Sequence, residues 1–175
     1  MLIALGGLPG VGKTTLAREL ARQLGAVHVR IDSIEQVIRE SGVTSTSLDD
    51  AGYRIGYAIA ADNLRIGRTV IADCVNPLPI TRDAWIAIAQ QARVGAVEIE
   101  IICSDSAEHR RRVETRTSDI PGLRLPTWEE VTNRDYAAWD RERVVLDTAD
   151  GSVEHTVEIL RSALAAKISD REPTI

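Results

Sequence analysis

The octapeptide Gly7-Leu-Pro-Gly-Val-Gly12-Lys13-Thr14 constrains this chain more than any other feature. It satisfies the spacing G-x-x-x-x-G-K-[ST] at every fixed position, directly after the apolar run Leu2–Leu5 and at the head of a helical pattern over 13–24. Glycines at those positions let the backbone wrap closely around an anion and aim several N–H groups at it. The helix N-terminus adds partial positive charge. Such a loop holds the phosphates of a nucleotide, and Gly7, Gly10, Val11, Gly12, Lys13, Thr14 and Thr15 are the expected contacts. Lys13 would reach the β- and γ-phosphate oxygens, and the Thr14 hydroxyl would complete part of a Mg²⁺ shell. Of 21 basic residues only two are lysines, Lys13 and Lys167, and one of them stands where this chemistry needs it.

Around this loop, short β-branched runs alternate with longer helical patterns. The runs are Leu2–Leu5, Val27–Ile31, Thr69–Ala72, Val97–Ile102 and Val144–Leu146; helices are expected near 13–24, 33–41, 48–66, 80–93, 106–116, 127–140 and 152–167. The alternation predicts an α/β fold, with a parallel sheet covered on both faces. Three segments carry a cap with an acid three residues on: Asp32–Glu35, Ser47–Asp50 and Thr127–Glu130. At 175 residues the chain fits one domain, taken as 1–168, with a frayed tail over 169–175. Phe is absent, so Ala, Val, Ile and Leu must build the core.

A net charge of −5 argues against a protein that tracks along nucleic acid. Apolar stretches are too short to span a bilayer. The apolar N-terminus lacks a basic leader and runs straight into the glycine loop, which does not fit a signal peptide. Cys74 and Cys103 stand apart with no metal-ligand spacing, so two reduced thiols in a cytoplasmic protein are expected.

No N-K-x-D tetrapeptide marks a GTPase, no LSGGQ-like segment marks an ABC ATPase, and the length leaves no room for an AAA+ small domain. The chain resembles the small P-loop kinases, specifically the broad zeta-toxin/chloramphenicol-phosphotransferase/polynucleotide-kinase-like group. The features that carry the resemblance are Gly7–Thr14, Val29-Arg-Ile-Asp32-Ser, Asp73-Cys-Val-Asn76-Pro77 and the Arg-rich stretch Arg110–Arg124. It covers about residues 1–165, and only the loop is highly specific. The resemblance implies a three-layer sandwich on a five-stranded parallel sheet in order 2-3-1-4-5. ATP and acceptor would meet at the carboxyl ends of the strands.

The same resemblance suggests roles. Asp32 would face the acceptor hydroxyl as general base or Mg²⁺-shell ligand, the alternative being a cap for helix 33–41. Asp73 would hold Mg²⁺ through water, or would merely form a turn. Asn76 and Arg82 would lie on the acceptor side. Arg112 and Arg116 would lead into a mobile lid over about 112–127 with Arg124 across it, stabilising transferred charge on closure; the alternative is a solvated helix face. Tyr53 is a candidate acceptor-pocket wall, although helical aromatics more often pack. Trp85, Trp128 and Trp139 are read as packing residues, and His28, His109 and His155 receive no role.

The expectation is therefore an ATP- and Mg²⁺-dependent phosphotransferase acting on a hydroxyl of a small molecule. A metabolite, a nucleoside-like compound or an antibiotic would serve as acceptor. A polynucleotide 5′-hydroxyl kinase and a nucleotide-dependent regulatory module are the alternatives.

Overall fold

The computed structural model describes residues 1–42, 50–149 and 153–169. Five parallel strands form one sheet: β1 (Leu2–Gly6), β2 (Val27–Arg30), β3 (Val70–Asp73), β4 (Ala96–Ile102) and β5 (Val144–Asp147). Their order across the sheet is β2-β3-β1-β4-β5, as expected. Central β1 places Leu2 opposite Val70 on one side and Ala96 on the other, and all five of its residues are buried.

Seven helices cover the sheet among the described residues: α1 (Lys13–Leu24), α2 (Ile31–Ser41), α3 (Ala51–Arg65), α4 (Pro79–Gln91), α5 (Ser106–Thr115), α6 (Trp128–Thr132) and α7 (Val153–Ser169). Alternating residues of β1 feed two cores. Ile3 and Leu5 join Leu16, Leu20 and Leu160 on one face. Leu2 and Ala4 join Leu64, Trp85 and Ile88 on the other. With no phenylalanine available, aliphatic side chains do most of this filling and Trp85 is the largest fully buried residue. No helix among the described residues is long and apolar enough to cross a membrane.

Two expectations need correction. Helix 33–41 begins earlier, at Ile31, with Arg30 as its N-cap residue, so Asp32 lies inside the first turn and makes no capping hydrogen bond. The helix expected over 127–140 stops at Thr132. Its start is right, since Thr127 and Glu130 form the reciprocal capping box. Beyond its end the chain meets Arg82, which is 0% exposed and donates to the carbonyls of Ala137 and Ala138 at 2.7 and 3.1 Å. The cap expected at Ser47–Asp50 begins outside the described residues; of the tail expected over 169–175, Ser169 ends α7 and 170–175 lie outside them.

Candidate active site

β1 delivers the chain into the glycine loop at the carboxyl edge of the sheet. Gly7 donates its N–H to the Val75 carbonyl at 3.0 Å, and a Cβ there would meet the Ile101 carbonyl oxygen at 2.1 Å. Gly10 and Gly12 have φ of 90° and 99°, conformations that favour glycine. α1 then begins at Lys13. The Lys13 side chain folds back over the loop, its Nζ donating to the Leu8 carbonyl at 2.8 Å.

Above the loop lies a cleft of about 1230 Å³. Gly10, Gly12, Lys13, Thr14 and Thr15 line its floor, Asp32, Tyr53 and Asp73 one wall, and Arg112, Arg116 and Arg124 the lid side. Burial lowers the Lys13 pKa to about 8, with Asp73 and Asp32 opposing the shift and Arg116 adding to it. Four groups of opposite sign thus act on one another across the cleft. The Arg116 Nε and Nη2 atoms are buried and have no hydrogen-bond partner among the described residues. Burial pulls the pKa of Arg116 down, Asp32 counters that, and Arg30 reinforces it.

Asp73 ends β3, is 3% exposed, and has one carboxylate oxygen 3.1 Å from His28 Nε2 on neighbouring β2. Tyr53 accepts a hydrogen bond from the Asn76 N–H at 3.0 Å, which steadies the turn after β3, and burial raises its pKa. Arg112 donates to Glu108 and to both oxygens of Thr148. Arg124 is exposed and pairs with Glu130 at 2.7 Å. The segment between α5 and α6 reaches across the cleft. Its Asp119 pairs with Arg18 of α1 and with Arg30, the last residue of β2, and its Gly122 sits against Gln36 and Glu40 of α2.

Arg82 and Asn76 do not stand where an acceptor could reach them. Both are 0% exposed and neither lines the cleft. The Arg82 guanidinium lies 4.1 Å from the Trp139 ring and also donates to the carbonyls of Asn76 and Pro77. It fastens the 137–139 segment to α4 and is not a substrate ligand. Val11 is likewise buried in the core, leaving only its backbone to the loop.

Several side chains that shape the site carry no local motif. His109 is buried and its Nε2 lies 2.8 Å from the Pro9 carbonyl. Thr148, beyond β5, reaches the Val11 carbonyl at 2.9 Å. His28 beside Asp73, and Arg18, Arg30 and Asp119 at the lid, carry no motif either. A faint signal existed for His109, since it shares the buried stripe of α5 with Val113 four residues on.

No curated protein matches the sequence. Among solved structures, APE1195 is similar at TM-score 0.71 and 26% identity, covering 95% of each chain. A gluconokinase from Sinorhizobium meliloti 1021 gives TM-score 0.67 and 18% identity over 96% of this chain and 93% of its own. The APS kinase CysC of Mycobacterium tuberculosis, solved with AMPPNP and APS, gives 0.68 and 17% over 94% of this chain and 96% of its own. These likenesses establish the P-loop kinase fold. The family described as the AAA domain matches residues 2–124, which include the glycine loop, Asp32, Asp73 and the Arg-rich helix. The chain belongs to that AAA domain family, on a P-loop kinase fold.

Proposed function

We propose that this protein is an ATP-dependent phosphotransferase that moves the γ-phosphoryl group of Mg-ATP to a hydroxyl of a small molecule. The observation that carries the reading is the meeting in one cleft of buried Lys13, exposed Asp32 and the unpartnered donors of Arg116. Buried donors left unpaired cost about 1–3 kcal/mol each, so an anion in reach of Arg116 relieves a standing penalty. Glycines of positive φ under them supply N–H groups for the remaining phosphate oxygens.

Asp32 is free of capping duty and accepts the proton of the acceptor hydroxyl as its oxygen attacks the γ-phosphorus. The bond to the bridging oxygen breaks and ADP leaves. Lys13 and Arg116 balance the negative charge, which peaks on the transferred group. Among the described residues no cluster of three or more His, Cys, Asp and Glu side chains forms a metal cage. The donors on hand are Thr14 and Asp73, which suits Mg²⁺, an ion held largely by phosphate oxygens and water. When bound it would neutralise phosphate charge.

The far wall presents Glu35, Gln36, Arg39 and Tyr53, a mixture of donors and acceptors fitted to a polar, hydroxylated compound. Contact of the lid backbone with α2 at Gly122 supports a small enclosed acceptor over a threaded polynucleotide. A cytoplasmic setting accords with the free thiols Cys74 and Cys103.

The test is acceptor-stimulated ADP release, screened over nucleosides, sugars, antibiotics and 5′-hydroxyl oligonucleotides. Lys13→Ala should abolish turnover. Asp32→Asn should lower it by about a hundredfold or more while leaving ATP affinity within about twofold. ATP binding with no stimulating acceptor, and no effect of Asp32→Asn, would replace this reading with a nucleotide-dependent regulatory module.

A further inference from the structure

We infer that His109 and Thr148 are positioning residues that preset the phosphate cradle by holding two of its carbonyls. The inference rests on the proposed use of the glycine loop for phosphate. Across a planar trans peptide the C=O and the following N–H point in opposite directions, and this chain has no cis peptide bond among the described residues. Whatever fixes the Pro9 carbonyl therefore also aims the Gly10 N–H, and whatever fixes the Val11 carbonyl aims the Gly12 N–H.

Both carbonyls are fixed. His109 Nε2 lies 2.8 Å from the Pro9 oxygen, and since a carbonyl only accepts, that nitrogen carries the proton. Pro9 and Gly10 line the cleft while His109 does not, so the histidine pulls from the far side and the Gly10 N–H is turned toward the cleft. His109 is 6% exposed, and its ring is held edge-on to Trp128 at 5.1 Å. The fit is close: a Cβ on Gly10 would come 2.5 Å from Val113 and 3.4 Å from the His109 ring.

Thr148 repeats the device one peptide unit further on. Its Oγ1 lies 2.9 Å from the Val11 carbonyl and 3.0 Å from that of Ile102, and accepts from Arg112 Nη1 at 2.9 Å. Because Arg112 supplies a donor to that oxygen, the single hydroxyl proton is left for the carbonyls. The Thr148 backbone is itself pinned, its N–H to Ile102 O at 2.9 Å and its carbonyl to Arg112 Nη2 at 2.8 Å. His109 lies outside the cleft, whereas Thr148 stands on its margin with its hydroxyl on the Val11 carbonyl. Each acts through a carbonyl of the loop, so that the anion meets N–H groups already turned toward it.

The experiment is calorimetric binding of ATP, ADP and tripolyphosphate to the wild-type protein and to His109→Phe, His109→Gln and Thr148→Val. Gly10 and Gly12 amide resonances and melting temperatures are recorded alongside. Phe keeps the ring against Trp128 without a donor, Gln restores a donor, and Val removes only the hydroxyl. His109→Phe and Thr148→Val should each weaken all three ligands by roughly tenfold, the worth of about one misdirected hydrogen bond. His109→Gln should recover most of the loss. His109→Phe should shift the Gly10 amide, and Thr148→Val the Gly12 amide. Unchanged affinity in both variants would overturn the inference, as would a loss for ATP that spares tripolyphosphate. If His109→Phe does not fold, Thr148→Val decides alone. Failure of the wild-type protein to bind any of the three would instead remove the phosphate reading itself, and the inference with it.

Discussion

Burial, opposed by Asp73 and Asp32 and helped by Arg116, leaves the Lys13 ammonium with a pKa of about 8. Phosphate oxygens beside it would favour the charged form, so nucleotide binding should take up a proton. The uptake should be absent well below pH 8, where Lys13 is already charged, and should grow from pH 8 upward. Calorimetry in buffers of different ionisation enthalpy measures it, and Lys13→Met should remove it. The sign for stability follows from the same shift. Between about pH 8 and the ordinary lysine range near 10.4 the unfolded chain holds a proton that the folded one has released. The contribution of Lys13 to the stability of the ligand-free protein therefore rises with pH across that window, and the stability advantage of Lys13→Met should narrow there. Lys13 and Thr14 were legible in the sequence because their neighbours in space are their neighbours in the chain. His109 and Thr148 were not, because their partners in the loop lie 100 and 137 residues away.

At the scale of elements, the close approach of α2 and α3 shapes the acceptor wall. Gly56 of α3 is what permits it, since a Cβ there would fall 2.4 Å from Ile31 Cδ1. Alanine would gain helix propensity of about 0.5–1 kcal/mol but overpack by about 1–3 kcal/mol. Gly56→Ala should therefore lower denaturant stability by about 1 kcal/mol, and adding Ile31→Val should return most of it. The lid behaves differently. Asp119 is half exposed, so its pairs with Arg18 and Arg30 add little to global stability. Asp119→Ala should leave the melting temperature nearly unchanged yet speed limited proteolysis between 116 and 127. Strand positions and the starts of most helices were readable from periodicity and capping. The path of the chain after α6 was not, because Arg82, which holds the 137 and 138 carbonyls, sits on another helix some fifty residues earlier.

Over the whole molecule, the parallel sheet and its order followed from the alternation of strand and helix together with the family resemblance, and both hold. The second fastening of the fold, on the face away from α1, was invisible. There Arg82, Tyr136 and Trp139 stack, Glu100 pairs with Arg143 at 2.6 Å, and Arg141 reaches Asp83. Removing the guanidinium would strip donors from the carbonyls of Asn76, Pro77, Ala137 and Ala138 together. Arg82→Ala should cost about 3 kcal/mol or more, a fall of roughly 10 °C in melting temperature for a chain of this size. Nucleotide affinity, measured below the transition, should change far less.

That buried guanidinium also sets an order of events during synthesis. Strand β1 leaves the ribosome first, yet its neighbours begin only at Val70 and Ala96. Arg82 then emerges more than fifty residues ahead of two of the carbonyls that accept from it. A nascent chain ending before Ala137 must keep this cation hydrated and leave that face of the sheet open, however complete its glycine loop. Commitment to the compact state is thereby postponed until nearly the whole domain has been made, and a ribosome stalled in α6 should display a chain that proteases still cut throughout α4.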